Sequence, residues 1–212
     1  MFDVGANAGL YSRDVVAINS SATVFAFEPH PGTFERLRSN TEAHGNIHAF
    51  NYAAGDRPGF LTLYDRPTEC GTPHASIFRE VIEDIHKVQS SHYEVKSITL
   101  DAFIEEQRVR RVDLLKIDTE GYELNVLKGG VKAIRSGIFR AIQFEFNEMN
   151  VVSRVFFKDF IEMLPQYRLH RMLPGGLQRI DNYRPLQCEL FAFQNIVAIL
   201  DEEKAVSTVS VS

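Results

Sequence analysis

The sequence predicts an α/β fold, an open and largely parallel sheet whose strand ends form a crevice for a nucleotide-like ligand. Three stretches carry that prediction. Phe2-Asp3-Val4-Gly5-Ala6-Asn7-Ala8-Gly9 reads as the end of a buried strand that passes through a glycine-bearing turn into a helix. Thr23-Val24-Phe25-Ala26-Phe27 is an uninterrupted β-prone run, as expected of a strand covered on both faces, and it stops at Glu28-Pro29-His30-Pro31. Val112-Asp113-Leu114-Leu115-Lys116-Ile117-Asp118 is again an apolar strand that runs into an acid. Ligand crevices of open α/β sheets lie at the carboxyl ends of the strands, where all three stretches place their polar residues.

The first strand has only residues 1–4 available, whereas a central strand ordinarily has about five or six. The expectation is a truncated first strand in a chain whose start is missing or misassigned. Gly5 permits positive φ, and Gly9 lets the helix over 11–18 pack without a Cβ in the way. The free N–H groups of that helix face the crevice. The Asp-x-Gly-x-x-x-Gly spacing departs from the Gly-x-Gly-x-x-Gly of dinucleotide enzymes. An acid at Asp3 suits a ligand with a cationic amino-acid end, such as S-adenosyl-L-methionine. Asp3, Gly5, Asn7 and Gly9 are the candidate cofactor-binding residues of this loop.

Glu28 ends the second strand, where a carboxylate can accept from both ribose hydroxyls, each charge-assisted bond contributing about 1.5–3 kcal/mol. His30 is either a substrate contact or a plain loop residue. Residues 33–43 form a helix with Phe34 and Leu37 inward and Gly45 as its stop. Residues 47–52 form the third strand, whose end faces an adenine ring. Asp56 beyond it is placed to accept from the adenine amino group, or else forms a turn. Residues 60–64 alternate as a strand, and 65–75 are a loop rich in Pro, Gly and Thr. Ile77, Phe78, Val81, Ile82, Ile85 and Val88 follow helical spacing, giving an amphipathic helix that packs on the body or lids the acceptor site. A strand over 93–98 and a helix over 100–107 follow, the latter burying Leu100, Phe103 and Ile104.

After Asp118 come Thr119-Glu120-Gly121-Tyr122-Glu123 and a helix to 128 that ends at Gly129-Gly130. Lys116, Asp118, Glu120 and Glu123 crowd this strand end. Buried charges are costly unless paired, so the cluster is either an internal ion pair that shapes the turn or a ligand site. As a site it makes Asp118 the first candidate base, touching both cofactor and acceptor, with Glu120, Glu123 or Glu145 as alternatives. Residues 141–147 are the next strand, with Glu145 and Asn147 on one side by period two. Together with Asp118 these two can form an all-oxygen magnesium site, the less favoured reading. Residues 153–164 read as a helix with Phe156, Phe157, Phe160, Ile161 and Leu164 on one face. A hairpin over 167–180 and a last strand within 191–200 complete the chain.

A length of 212 residues is enough to bury a sizeable core in one domain, placed at 1–200, with a frayed polar tail over 201–212. Net charge is -5 and there is no Lys/Arg block, which argues against nucleic acid as a partner. No apolar run reaches membrane-spanning length. Cys70 and Cys188 lack paired spacing, so a reduced, cytoplasmic setting is expected rather than a disulfide framework. His44 and His48 are four apart, but Gly45-Asn46 ends the helix between them, so no histidine metal site is expected. Nothing in the pattern specifies an oligomeric state.

Phe2–Gly9, Phe27-Glu28-Pro29-His30-Pro31, Thr99-Leu100-Asp101 and the block from Asp113 to Glu123 together resemble the FkbM-type S-adenosylmethionine-dependent methyltransferases, from Phe2 to about Leu200. Leu115-Lys116-Ile117-Asp118-Thr119-Glu120-Gly121-Tyr122-Glu123 is the most specific part. The resemblance implies a class I, Rossmann-like methyltransferase fold with a mostly parallel seven-stranded sheet and an antiparallel last strand. It implies S-adenosyl-L-methionine as cofactor and O-methylation of a hydroxyl on a small-molecule, sugar or natural-product acceptor. Members normally carry a full first strand with more sequence before it, which is where this chain departs. Two rival expectations are a magnesium-assisted enzyme and a non-catalytic module of the same fold that serves as a binding partner.

Overall fold

The computed structural model describes residues 1–67, 71–72 and 74–203. Cys70 and the tail beyond 203 lie outside the described residues. Strands and helices alternate through β1 (Phe2–Val4), α1 (Leu10–Ile18), β2 (Val24–Phe27), α2 (Pro31–Thr41) and β3 (Ile47–Phe50). Then come β4 (Ala53–Ala54), β5 (Gly59–Asp65), β6 (Ser91–Ile98), α3 (Leu100–Glu106), β7 (Val112–Ile117), α4 (Glu123–Lys128) and α5 (Val131–Arg135). The last part holds β8 (Phe139–Phe146), α6 (Met149–Ser153), α7 (Phe157–Met163), β9 (Tyr167–Leu173), β10 (Gly176–Arg179), α8 (Pro185–Cys188) and β11 (Gln194–Leu200).

The main sheet runs β10-β9-β11-β8-β7-β1-β2-β3. Strands β3, β2, β1, β7 and β8 are parallel, and β11 is antiparallel to both its neighbours. Seven of these strands form the expected sheet with its antiparallel last strand. The eighth, β10, is the outer arm of the expected hairpin. Strand order reverses direction of growth at β1, with β2 and β3 on one side and β7 and β8 on the other. A crevice therefore opens beyond the end of β1.

The three-residue β1 is held by aromatic packing. Phe2 meets Phe25, Phe27, Phe103 and Phe139 edge-on, with centroids 5.5, 5.7, 5.6 and 6.2 Å away. Each such pair adds about 0.5–1.5 kcal/mol to the burial term. The buried Leu100, Phe103 and Ile104 of α3 come from the face expected of them. A separate three-stranded sheet, β4-β6-β5, was not legible as such, although β5 and β6 were expected as strands.

Two helices differ from expectation. The periodicity of 77–88 yields a single π-helical turn, Val81–Ile85, because Lys87 at φ 56 carries the chain out of the helix and back toward β6. The turn buries Val81 and Ile82 against Met149, so it packs on the body. Residues 153–164 are split because Arg154 takes a left-handed conformation (φ 55, ψ 38) at the end of α6. Helix α7 restarts where the Asp159 carboxylate accepts from the Phe156 N–H at 2.8 Å. Phe156 is consequently exposed, while Phe157, Phe160 and Leu164 are buried. Asp201, assigned to the frayed tail, is also buried. It accepts from Arg168 Nε at 2.7 Å, and its N–H donates to the Gln166 carbonyl at 2.9 Å. Among the described residues no helix is long and apolar enough to cross a membrane.

Candidate active site

A cavity of about 310 Å³ follows the strand ends in sheet order. Tyr52, Ala53 and Ala54 line it after β3, Glu28 and Pro29 after β2, and Gly5 and Asn7 after β1. Asp118, Thr119 and Glu120 follow β7, Glu145 lies on β8, and Phe193 precedes β11. The segment between β5 and the π-helical turn contributes Thr72, His74 and Ala75.

The half around β1 and β2 is built from backbone. Gly5 has φ +76, and a Cβ there would lie 1.7 Å from the Asp118 carbonyl oxygen. The N–H groups of Gly5 and Ala6 donate to the Phe27 carbonyl at 3.0 and 2.9 Å, which locks the turn to β2. Asn7, at φ 49, donates its N–H to Glu28 Oε2 at 2.9 Å, and His30 N–H donates to Oε1 at 2.9 Å. Glu28 is only 6% exposed, and burial pushes its pKa up to about 7 against the pull of those two N–H groups. A carboxylate has about four acceptor sites, so two backbone donors orient Glu28 without saturating it. His30 is buried and caps α2, accepting from Thr33 N–H at 3.2 Å, which leaves it no part in the cavity.

Three residues expected to contact the cofactor do not line the cavity. Gly9 opens α1 in a left-handed conformation, and its missing Cβ would meet Leu37 Cδ1 at 2.7 Å and Thr41 Cγ2 at 3.0 Å. It serves the contact of α1 with α2, not the cavity. Asp3 is fully buried and does not line the cavity. It is the register partner of Lys116 across β1 and β7, so both side chains project from the same face of the sheet. Its Oδ2 accepts from Ser12 Oγ at 2.6 Å, and its Oδ1 lies 3.6 Å from Lys116 Nζ. Burial pushes the Asp3 pKa up despite these partners. Asp56 is exposed and off the cavity, where it accepts from the Tyr122 hydroxyl at 3.3 Å. The reason is β4, which pairs with β6 and carries the chain away before Asp56 is reached. Tyr52 to Ala54 stand where Asp56 was expected.

The half around β7 and β8 is built from side-chain charge. Lys116 Nζ donates to Asp118 Oδ2 at 3.0 Å. Burial opposes the Lys116 charge, but Asp3, Asp118 and Glu145 outweigh it and hold its pKa up. The internal ion pair and the cavity-lining position therefore coexist in Asp118. Burial, and then Asp118 and Glu145, push Glu120 up to about 8. Burial, and then Asp118 and Glu123, push Glu145 up to about 7. Glu123 does not line the cavity. It is buried, and its Oε1 accepts from Thr119 N–H, Thr119 Oγ1 and Gly121 N–H at 3.0, 3.1 and 3.1 Å, so it fixes the turn that presents Glu120.

Asn147 Oδ1 accepts from Met149 N–H at 3.0 Å, and its amide donates to Glu145 Oε2 at 3.2 Å. One oxygen of Asp118 accepts from Lys116, and the Asn147 oxygen of the magnesium reading is taken by the Met149 N–H. Among the described residues no group of three or more His, Cys, Asp or Glu is arranged to hold a metal ion.

Sequence reasoning missed His74, Tyr52 and Phe193. His74 sits in a stretch that reads only as a turn-rich loop. The anchor is Asp65, buried at the end of β5, which accepts from Arg66 N–H at 2.7 Å, Thr72 N–H at 2.6 Å and Thr72 Oγ1. A buried acid before a Gly/Thr-rich loop is a signal that the loop is pinned, but nothing local says where.

A switch-point crevice with a carboxylate after β2, a glycine turn after β1 and an antiparallel β11 defines a class I, Rossmann-like methyltransferase fold, which implies S-adenosyl-L-methionine as methyl donor. The chain belongs to the methyltransferase FkbM domain family, whose model matches residues 3–171. It is similar to the hexuronic acid methyltransferase AglP of Haloferax volcanii, 32% identical over 146 residues that cover 68% of this chain and 54% of AglP. It is also similar to the 2-O-methyltransferase NoeI of Sinorhizobium fredii, 22% identical over 84% of this chain and 76% of NoeI. The chain thus spans about half the length of AglP. A chain in the crystal structure of a fibrillarin/Nop5p complex shares the fold, with a TM-score of 0.50 at 13% identity over 94% of this chain and 71% of that one.

Proposed function

We propose that the chain is an S-adenosylmethionine-dependent O-methyltransferase acting on a hydroxyl of a sugar or small natural-product acceptor. Its support is that one cavity holds both the backbone-oriented carboxylate of Glu28 and, across the glycine turn, the carboxylates of Asp118, Glu120 and Glu145. The first half fits the donor. Glu28 would accept from the two ribose hydroxyls, Tyr52 to Ala54 would flank the adenine, and the Gly5–Asn7 turn would admit the amino-acid portion. Asp3 acts from behind, by holding Lys116 and the start of α1.

When bound, the donor supplies a methyl group already activated on a positively charged sulfur. The chain's own work is then to place an acceptor oxygen in line and to remove its proton. Asp118, fixed by Lys116, and Glu145, fixed by Asn147, present acceptors for a polyhydroxylated molecule. With Asp118 paired to Lys116, and Glu120 and Glu145 held toward their protonated forms by burial, the wall can both donate to and accept from hydroxyls. The name of AglP, a hexuronic acid methyltransferase, supports a sugar, and that of NoeI, a 2-O-methyltransferase, supports transfer to oxygen.

The test is incubation of the purified chain with isotope-labelled S-adenosylmethionine and a panel of neutral sugars, uronic acids and simple alcohols, with products read by mass spectrometry before and after mild alkali. An alkali-stable methyl ether is expected. An alkali-labile ester would redirect the function to carboxyl methylation, and an absence of donor binding by calorimetry would remove the enzyme reading.

A further inference from the structure

We propose that His74 takes the proton from the acceptor hydroxyl and that Glu120 is its positioning residue; this deepens the O-methyl transfer proposed above and rests on it. His74 lies on the segment between β5 and the π-helical turn and lines the same cavity as Asp118, Glu120 and Glu145. Its Nδ1 is 3.3 Å from Glu120 Oε1. The side chain of His74 is 41% exposed and that of Glu120 12%, so the pair has a protected end and a solvent-facing end.

Both members are held from outside the pair. Ser76 Oγ donates to the Glu120 carbonyl at 2.8 Å, so the 74–76 segment grips Glu120 through backbone as well as side chain. Ser76 is itself paired with Tyr64 through N–H···O bonds in both directions, at 2.9 and 2.7 Å. His74 N–H donates to Thr72 Oγ1 at 3.3 Å, and Thr72 is bound to the buried Asp65. Glu120 is held at φ 51 by the turn that Glu123 closes.

The chemistry follows from which ring nitrogen is engaged. Glu120 ionises as pH rises through about 8, and when Nδ1–H donates to that carboxylate, Nε2 carries a bare lone pair. Of the other acids of the wall, Asp118 accepts from Lys116 and Glu145 from the Asn147 amide. The acceptor oxygen passes its proton to Nε2, bonds to the methyl carbon and displaces the sulfur, which keeps the C–S electron pair and leaves as a neutral thioether. The imidazolium is stabilised by Glu120 and returns its proton to water at the exposed edge. Glu120 and His86 face the His74 ring, the latter with its centroid 4.7 Å away. Asp118, Glu145, Glu123 and Glu148 act on Glu120, and Arg66 on His86. The active form carries one proton on the pair, and a second proton blocks Nε2.

The experiment uses the full chain with isotope-labelled histidine. NMR follows the His74 ring nitrogens through a pH titration in wild type and in Glu120→Gln, with His74→Gln for assignment and circular dichroism as the fold control. The Nδ1–H tautomer of His74 should lose its dominance in Glu120→Gln. With the best acceptor, His74→Gln should lose about 100-fold or more in kcat, with donor affinity changed by less than about twofold. Added imidazole should restore part of the rate in His74→Ala. A His74 tautomer indifferent to Glu120→Gln, or full kcat in His74→Gln, overturns this proposal alone. Failure of the wild-type chain to bind the donor sinks the function above, while the NMR result still decides whether the dyad exists.

Discussion

The two halves of the cavity are made of different material. Around β1 and β2 the wall is backbone, with a glycine pressed against the Asp118 carbonyl and a single carboxylate oriented by two N–H groups. Around β7 and β8 it is charge, with Asp118 and Glu145 about one half-buried lysine and Glu120 beside them. The first half depends on side chains being absent and on the chain bending in one way. The second depends on Glu120 and Glu145 being held above their ordinary titration range by burial and by neighbouring acids. A donor of fixed shape suits the first construction, and a variable hydroxylated acceptor suits the second.

The comparison breaks most easily at Gly5. Gly5→Ala should cost about 3–5 kcal/mol in urea unfolding, from the left-handed backbone and a clash with a main-chain oxygen that cannot step aside. Gly9→Ala has a similar φ but meets the ends of Leu37 and Thr41 side chains. It should cost about 1–2 kcal/mol. Equal losses would show that the close approach at Asp118 does not govern the turn.

Glu28→Gln sharpens the contrast in binding. Calorimetry should show donor affinity weakened about 10- to 100-fold, while Glu145→Gln stays within about threefold of wild type. Equal losses would erase the division into two halves.

The acids make a third test. The pKa values of Glu28, Glu120 and Glu145 are raised from 4.5 to about 7, 8 and 7, chiefly by burial. A carboxyl so raised keeps its proton in the folded chain where the unfolded chain has lost it. Stability from these groups is thus fully present below pH 4.5 and is lost as pH rises through 7 to 8. The loss is at most about 1.4 kcal/mol per pH unit for each group. The ligand-free chain should therefore have a higher urea midpoint at about pH 5.5 than at pH 8. A midpoint that rises toward pH 8 would contradict the burial of this cluster.

The smallest effect belongs to Asp56→Asn, which should leave donor affinity within about twofold of wild type because the residue lies outside the cavity. A larger loss would restore its adenine role.

Strand ends were the legible part of this molecule. The runs into Glu28 and Asp118 announce themselves because strands buried on both faces are continuous in apolar residues and stop abruptly at the crevice. Gly5 is legible for the same local reason. The burial of Asp3 was not legible because it depends on register with Lys116, more than a hundred residues away. The position of Asp56 off the cavity was not legible because the pairing of β4 with β6 is long-range, whereas alternation marks a strand without naming its partner. Arg154 breaks a helix with no Gly or Pro to mark it. His74 reaches the cavity only through the anchor at Asp65 and the grip of Ser76 on Glu120, contacts that composition does not encode.

The most direct test is a crystal structure of the chain with S-adenosylhomocysteine bound. Both ribose hydroxyls should lie within hydrogen-bond distance of the Glu28 carboxylate, with adenine between Tyr52 and Ala54 and sulfur turned toward Asp118. A nucleoside seated away from Glu28, or a sulfur turned away from the acidic wall, would contradict the account.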